Sequence, residues 1–376
     1  MNKVYLDNAA TTALDLEVID VMTDVMKNHY GNPSSLHYCG RKSKSIIETS
    51  RRNIANLINA DSSEIFFTSG GTEAANMAIR GAVRDANIKH VITSKIEHHA
   101  VLNTVIHLLR KDKITLSYVK IKANGQIDLN DLERLLQNNK NTLVSLMHAN
   151  NEIGNLLKLQ SVSLLCQEYN ALFHSDTVQT VGHYNFNLKK LKIDFLTCSG
   201  HKFHGPKGVG FLYINKNINI SPLIHGGSQE RNMRGGTEYV YGIIGLAKAM
   251  EVAYRDLDTH YNHIKSIKSY MIQQIKDKIP FISFNGTSGD MDSSLYTVLS
   301  VVVPSHEYDN LLLFNLDLLG IACSGGSACS SGGTSPSHVV QELNINNGPV
   351  VRFSFSKFNT KKDIDFTIEQ LSSLFD

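Results

Sequence analysis

Lys202 lies in TCSGHKFHGPKGVGFLYI (197–214), where an apolar run ends at Ser199 and a turn rich in Gly and His follows. Its basic neighbours His201 and His204 disfavour its proton, and a depressed lysine pKa is what an imine-forming amine needs. Taken singly, the same residue also reads as a solvated loop lysine. In FHSDTVQT (173–180) a second apolar run ends in Asp176, with Gln179 three residues on. A carboxylate there can pair with a protonated pyridine nitrogen, or it can cap the following turn. FFTSGGTEAAN (66–76) turns on two glycines into a helix beginning at Thr72. Backbone N–H groups at such a helix start favour a phosphate, although an ordinary capped helix has the same sequence signature. Neither G-K-[ST] nor G-x-G-x-x-G is present. IEHHAV (96–101) places His98 and His99 at another junction, where an imidazole can stack on a flat cofactor and move protons, or merely pack. HANNEIG (148–154) adds Asn150 and Asn151.

Two thiols, Cys323 and Cys329, lie six positions apart in IACSGGSACSSGG (321–333). The chain has five cysteines in 376 residues, an odd and small number that argues against a disulfide framework. C-x5-C fits no common zinc pattern, and the sixteen histidines form no H-E-x-x-H array. A run of Gly and Ser is a poor place to bury a thiol, so a nucleophile remains the reading to test.

All these residues need something to aim them. Apolar runs at 64–69, 90–94, 142–148, 171–176, 193–199 and 208–214 read as strands, and helical patterns at 72–86, 99–111 and 161–170 lie between them. That alternation predicts a mostly parallel, doubly wound α/β sheet with its ligand at the carboxyl ends of the strands. The pattern changes after about residue 240. A long helix is expected from Tyr241 to about Lys278, then strands at 281–286, 295–303 and 350–356. Helices are expected near 307–319, at 335–343 and at 360–375. The expected division is a large domain over 13–255 and a smaller α+β domain over 256–376 that also takes in residues 1–12. Placed at strand ends, the candidates make a phosphate cradle, an imine lysine, an acid for a ring nitrogen and an imidazole. That set describes a pyridoxal-phosphate site better than a nicotinamide or nucleotide site.

The net charge of +2 gives no sign of a nucleic-acid or membrane-surface partner. No apolar run approaches the roughly 20 residues of a membrane span. The opening MNKVYLDNAATT has no signal-peptide core, so the expected location is the cytoplasm.

The segments YLDNAATT, GNPSSLH, FTSGGTEAAN, EHHAVL, NNEIG, SDTVQT, SGHKFHGPKG, MRGGTE, GSACSSG and VRFS occur in this order along essentially the whole chain. In this the sequence resembles the cysteine desulfurases, fold-type I pyridoxal-phosphate enzymes of the class V aminotransferase group. The Cys segment resembles the long-loop subgroup that serves nitrogenase and general iron–sulfur assembly. The resemblance implies Lys202 as the lysine bound to pyridoxal 5'-phosphate, Asp176 at the ring nitrogen and Gln179 at the phenolic oxygen. His98 would stack on the ring and act in proton transfer. Gly71, Thr72, Ser199 and His201 would hold the phosphate, and Thr237 would reach the phosphate of the neighbouring subunit in a homodimer. Asn151 and Arg352 would grip the substrate, with the planar guanidinium forking onto its carboxylate.

Cys329 matches the nucleophile, so the implied reaction is L-cysteine to L-alanine with a persulfide on Cys329. The sulfur would then pass to an acceptor such as an iron–sulfur scaffold protein. Selenocysteine lyase, or another class V aminotransferase-type activity, is the alternative. No resident metal is expected, apart from Cys329 touching a cluster in transfer. Cys323, Ser356 and Tyr239 depart from the usual family residues, and Cys323 leaves room for an off-pathway disulfide or a second sulfur site.

Overall fold

The computed structural model describes residues 3–112, 114–304, 311–325, 337–345 and 348–375. In chain order the strands are β1 (Val4–Tyr5), β2 (Ile65–Thr68), β3 (His90–Thr93), β4 (Thr115–Tyr118), β5 (Thr142–Ser145) and β6 (Leu172–Asp176). They continue as β7 (Phe195–Ser199), β8 (Gly210–Ile214), β9 (Ser283–Phe284), β10 (Val298–Val302), β11 (Ile321–Ala322) and β12 (Val350–Ser354). Seven of them form one sheet in the order β2-β8-β7-β6-β5-β3-β4. Every pairing in it is parallel except those of β8, which runs antiparallel to both β2 and β7. The mostly parallel α/β expectation therefore holds, with 208–214 as the reversed strand.

The period of two along these strands is visible in where the side chains go. Phe66, Val91, Leu143, Phe195 and Leu212 enter one apolar cluster with helices Gly71–Asp85 and His99–Lys111. Their chain neighbours Phe67, Ile92, Val144, Leu196 and Phe211 enter a second cluster on the opposite face. There they meet helices Leu16–Asn28, Tyr38–Leu57, Leu129–Asn138, Leu159–Glu168 and Val240–Arg255. Both faces are covered, which is why the strands read as continuous apolar runs.

A third cluster gathers around the antiparallel sheet β12-β10-β9 and helices Leu257–Lys278 and Lys361–Ser372. Val4 and Leu6 belong to it, because β1 pairs in parallel with β11. The single helix expected from Tyr241 to Lys278 is two helices meeting at Asp256. β4 was absent from the sequence reading because its residues, TLSY, are exposed or half-buried at the sheet edge and form no apolar run.

Since β8 is antiparallel to both neighbours, β2 and β7 point the same way as β3, β5 and β6. All five carboxyl ends therefore open on one edge of the sheet. Gly210 makes the closest approach there possible: a Cβ at that position would lie 2.2 Å from the Cys198 carbonyl oxygen and 2.9 Å from the Gly70 Cα.

Candidate active site

At this edge lies a cavity of about 340 Å³. Its wall includes Gly71 and Thr72 after β2, His98 after β3, Asn151 after β5, and Asp176 with Gln179 at the end of β6. Ser199, His201 and Lys202 enter from the end of β7, and Arg352 enters from β12. The structure thus brings ten of the sequence-derived residues to one cavity. Thr237 does not line it: this residue is exposed just ahead of helix Val240–Arg255. Cys329 and the glycines at 326, 332 and 333 lie outside the described residues.

Lys202 stands on the short turn Gly200–Lys202, and its Nζ donates to the carbonyls of Ala9 (2.6 Å) and Ala10 (2.9 Å). The segment 9–12 is stitched over this turn. Thr12 donates to the His201 carbonyl through N–H and hydroxyl, the His204 N–H donates to Thr12 Oγ1 at 2.7 Å, and Gln179 donates to Ala9 O. The argument from basic neighbours of Lys202 needs correcting. Burial first, then the charge of Lys202 itself, pushes His201 down to about 4. His204 is pushed to about 4 as well, again chiefly by burial. Both imidazoles are neutral at neutral pH and add no positive charge beside the amine.

Asp176 is buried, and its Oδ1 accepts the Val178 N–H at 3.0 Å. Burial raises its pKa, while His98 and Lys202 act in the opposite sense. His98 caps helix His99–Lys111, with Nδ1 accepting the Ala100 N–H at 3.0 Å. Burial and the charges of Lys202 and His99 lower its pKa against the pull of Asp176.

Helix Gly71–Asp85 starts from Gly70 (φ 146°) with no side chain capping it. A Cβ on Gly71 would come within 2.7 Å of Val178 Cγ2. The opening is a tight backbone cradle flanked by the hydroxyls of Thr72 and Ser199. Donors left open at a helix start and side-chain hydroxyls suit a phosphate.

Arg352 is buried, and its Nη2 donates to Asp7 Oδ1 (2.9 Å) and Ser324 Oγ (2.6 Å). Its Nη1 donates to the Asn151 carbonyl at 2.7 Å, and its Nε has no partner among the described residues. Asn150 is structural: its side chain donates to the Ile96 carbonyl and accepts from the N–H groups of Glu152 and Ile153.

Cys323 is half-buried, and burial followed by Asp7 pushes its thiol up to about 12. A thiol so protonated is a poor nucleophile, which speaks against the second sulfur site. His338 bonds through Nε2 to the Glu97 carbonyl, so that nitrogen is committed to a protein partner.

Several residues of the site had escaped the sequence reading. Ala9 and Ala10 act through backbone carbonyls, which leave no mark in side-chain chemistry. Asp7 and Ser324 hold Arg352 from segments more than 300 residues apart in the chain. Glu97 is buried behind His98, accepting from Ser94 Oγ and the Met147 N–H, and burial raises it to about 8. A charged residue after the apolar run at 90–94 was the available signal.

A sheet whose strand ends carry an uncapped helix start, a lysine and a buried acid around one cavity points to a class of protein, and the comparisons give its family. The chain belongs to the aminotransferase class-V family, whose profile matches residues 4–366. Within that family it is 43% identical to the cysteine desulfurase IscS of Dictyoglomus turgidum over 384 aligned residues, covering 100% of this chain and 95% of that protein. A solved NifS-like protein superposes with a TM-score of 0.91 at 34% identity, covering 100% of this chain and 99% of the other. SspA in complex with cysteine superposes with a TM-score of 0.80 at 30% identity, over 96% of this chain and 100% of that one.

Proposed function

We propose that this chain is a pyridoxal-phosphate-dependent cysteine desulfurase that converts L-cysteine to L-alanine and keeps the sulfur as a persulfide on Cys329. The observation that carries the reading is the single cavity joining Lys202, Asp176 and His98 to Arg352. The cradle and the buried acid fit the cofactor. Gly71, Thr72, Ser199 and His201 would hold its phosphate, Asp176 its ring nitrogen and Gln179 its phenolic oxygen. When bound, the cofactor supplies an electron sink for charge developing on the substrate.

The chain's own residues do the rest. Arg352 and Asn151 bind and orient the substrate at its carboxylate. The Nζ of Lys202 takes and returns protons at the substrate carbons. The Cys329 thiolate attacks the substrate sulfur: an S–S bond forms, the Cβ–S bond breaks, its electron pair stays with carbon, and protonation there gives alanine. The Gly and Ser around Cys329 would let the persulfide travel to an acceptor protein, such as an iron–sulfur scaffold.

The proposal includes a homodimer. Thr237, exposed and away from its own chain's cavity, would reach the partner's phosphate. Exposed apolar side chains such as Leu16, Tyr30, Leu36 and Tyr38 (Leu36 is 90% exposed) supply material for a contact between copies. The two-part division, 13–255 and 256–376 with 1–12, draws support from the membership of Val4 and Leu6 in the C-terminal cluster. Among the described residues no helix is long and apolar enough to cross a membrane.

The test is a paired assay on the cofactor-loaded protein, wild type against Cys329→Ser, quantifying alanine and protein-bound persulfide from L-cysteine. Alanine with persulfide on Cys329, both lost in the variant, is expected. Undiminished alanine from the variant would remove Cys329 from the mechanism and favour the lyase alternative.

A further inference from the structure

We propose that His183 and Tyr296 form a strut that fixes the spacing between Lys202 and Arg352, with His183 as a positioning residue that holds the Lys202 carbonyl. This deepens the proposed function and rests on it for the reaction the two residues serve. His183 follows Asp176 and Gln179 closely in the chain, and its own N–H donates to the Thr180 carbonyl at 3.0 Å. Gly182 lets the chain lie against the residue after Lys202. Its φ is 80°, and a Cβ there would come within 2.8 Å of Phe203. From this position His183 Nε2 reaches the Lys202 carbonyl at 3.3 Å, and Nδ1 reaches the Tyr296 hydroxyl at 3.0 Å.

A carbonyl only accepts, so Nε2 carries a proton. Burial pushes His183 down to about 4, so the ring is neutral at neutral pH and Nδ1 presents a lone pair. Tyr296 donates its hydroxyl proton to that lone pair, with the His183 carbonyl at 3.3 Å as the more distant acceptor. The other neutral tautomer would set a lone pair on Nε2 against the Lys202 oxygen. The bonds therefore run one way, from the Tyr296 O–H to Nδ1 and from Nε2–H to the Lys202 carbonyl.

Each end of this strut meets one half of the site. At one end, His183 completes the hold on the turn Gly200–Lys202. The Gly200 carbonyl accepts the Gly205 N–H, and the His201 carbonyl accepts from Thr12. At the other end, Tyr296 is buried in the C-terminal cluster, edge-on to the rings of Tyr261 (4.8 Å) and Tyr184 (5.6 Å). It stands just ahead of β10, whose Ser300 pairs with Arg352 of β12. His183 thus joins the turn after β7 to the antiparallel sheet that carries Arg352. An amine that takes a proton beside a carboxylate held by that arginine needs the spacing fixed, because a misplacement of about 1 Å can cost about 10²-fold in rate.

Three variants of the cofactor-loaded enzyme test this. His183→Gln restores a donor near the Nε2 position. His183→Asn keeps a partner for Tyr296 but loses the donor to Lys202. Tyr296→Phe keeps the ring packing and loses the hydroxyl. In His183→Asn, kcat for alanine formation should fall about 10- to 100-fold with KM for L-cysteine near the wild-type value. His183→Gln should recover most of that loss, and Tyr296→Phe should fall between the two. Equal losses in His183→Gln and His183→Asn would reduce the imidazole to packing, and wild-type kcat in His183→Asn or Tyr296→Phe would leave the strut without a role. Either result overturns the proposal. The readout without turnover is the ¹⁵N tautomer of His183 at pH 7 in protein stripped of cofactor, assigned with His183→Gln. Nε2 protonated and Nδ1 unprotonated is expected, and the opposite tautomer or an imidazolium overturns the proposal. A wild type that takes up pyridoxal phosphate but makes no alanine sinks the proposed function instead. The tautomer then still decides this inference, together with the absorbance titration of the bound cofactor. That titration should shift in His183→Asn and return in His183→Gln, and coincident curves refute the hold on Lys202.

Discussion

Glu230 offers a quantitative test of how the segment before Thr237 is held. Its carboxylate and the Arg51 guanidinium form a two-pronged pair, 2.7 and 2.8 Å, with both side chains almost wholly buried. Oε2 also accepts the Phe67 N–H at 2.8 Å, and Arg51 Nη1 donates to the Ile65 carbonyl. The pair therefore ties this segment to β2, the strand leading into the phosphate cradle. It also sustains a left-handed turn at Glu230, Arg231 and Asn232 (φ 45°, 57° and 66°), where each non-glycine residue costs about 1–2 kcal/mol.

In Glu230→Gln the oxygen is best kept where it meets Phe67 and Nη1, so the amide nitrogen faces Nη2, donor against donor. Breaking a buried pair costs about 3–5 kcal/mol, and the lower end applies because Glu48 still accepts from Arg51. With about 2.1 cal/mol/K per residue over 376 residues, the unfolding entropy is about 0.8 kcal/mol/K. A loss of about 3 kcal/mol then lowers Tm by about 4 °C. Calorimetry on wild type, Arg51→Met, Glu230→Gln and the double variant measures it. The double variant should lie well above the sum of the singles, because it removes the stranded cation. A Glu230→Gln shift under 1 °C, or additive singles, would refute the reasoning.

Arg352→Lys should raise KM for L-cysteine and lower kcat/KM by about 10- to 100-fold, the equivalent of one charged hydrogen bond of about 1.5–3 kcal/mol. Initial-rate kinetics showing a fall in kcat with KM unchanged would exclude the gripping role. Prolines at Gly332 and Gly333 should spare alanine formation in a single turnover yet block sulfur transfer to an acceptor protein, and equal loss of both contradicts the carrier role. Lys268, buried with Nζ donating to Ser294 Oγ and the Leu295 carbonyl, is pushed down to about 7 by burial. Unfolded, it keeps its proton up to its ordinary 10.5, so between pH 7 and 10.5 the unfolded chain binds more protons and stability rises with pH. Denaturant titrations should show that slope, at most about 1.4 kcal/mol per pH unit, and its loss in Lys268→Met.

The legible part of this protein was what side-chain pattern encodes. β2, β3, β5, β6, β7 and β8 are buried on both faces and read as apolar runs, and the residues after five of them carried recognisable chemistry. Three things were not legible. The direction of β8 depends on pairing with β2 and β7, which its own residues do not record. The charge state of the histidines depends on burial, so reading His201 and His204 as basic gave them a charge influence on Lys202 that neutral rings do not exert. The hold on Arg352 by Asp7 and Ser324 arises because β1 pairs with β11, a contact between opposite ends of the chain.

The histidines are where this site's electrostatics is decided. His148 and His174, behind the sheet edge, are driven by burial to about 3, and His183, His201 and His204 to about 4. Were they charged, the strand ends would carry a cluster of cations that any anion could satisfy. Kept neutral, they act through hydrogen bonds, as His148 does to Thr180 and His201 to Thr11. Formal charge on the cavity wall is then left to Lys202, Arg352 and Asp176, each with one complementary ligand group in the proposed reaction. Discrimination follows from that economy: a substrate lacking the carboxylate leaves Arg352 bound only to its protein partners, Asp7 among them. Neutral imidazoles therefore serve selectivity, and His201 carries the same principle to the cavity wall itself.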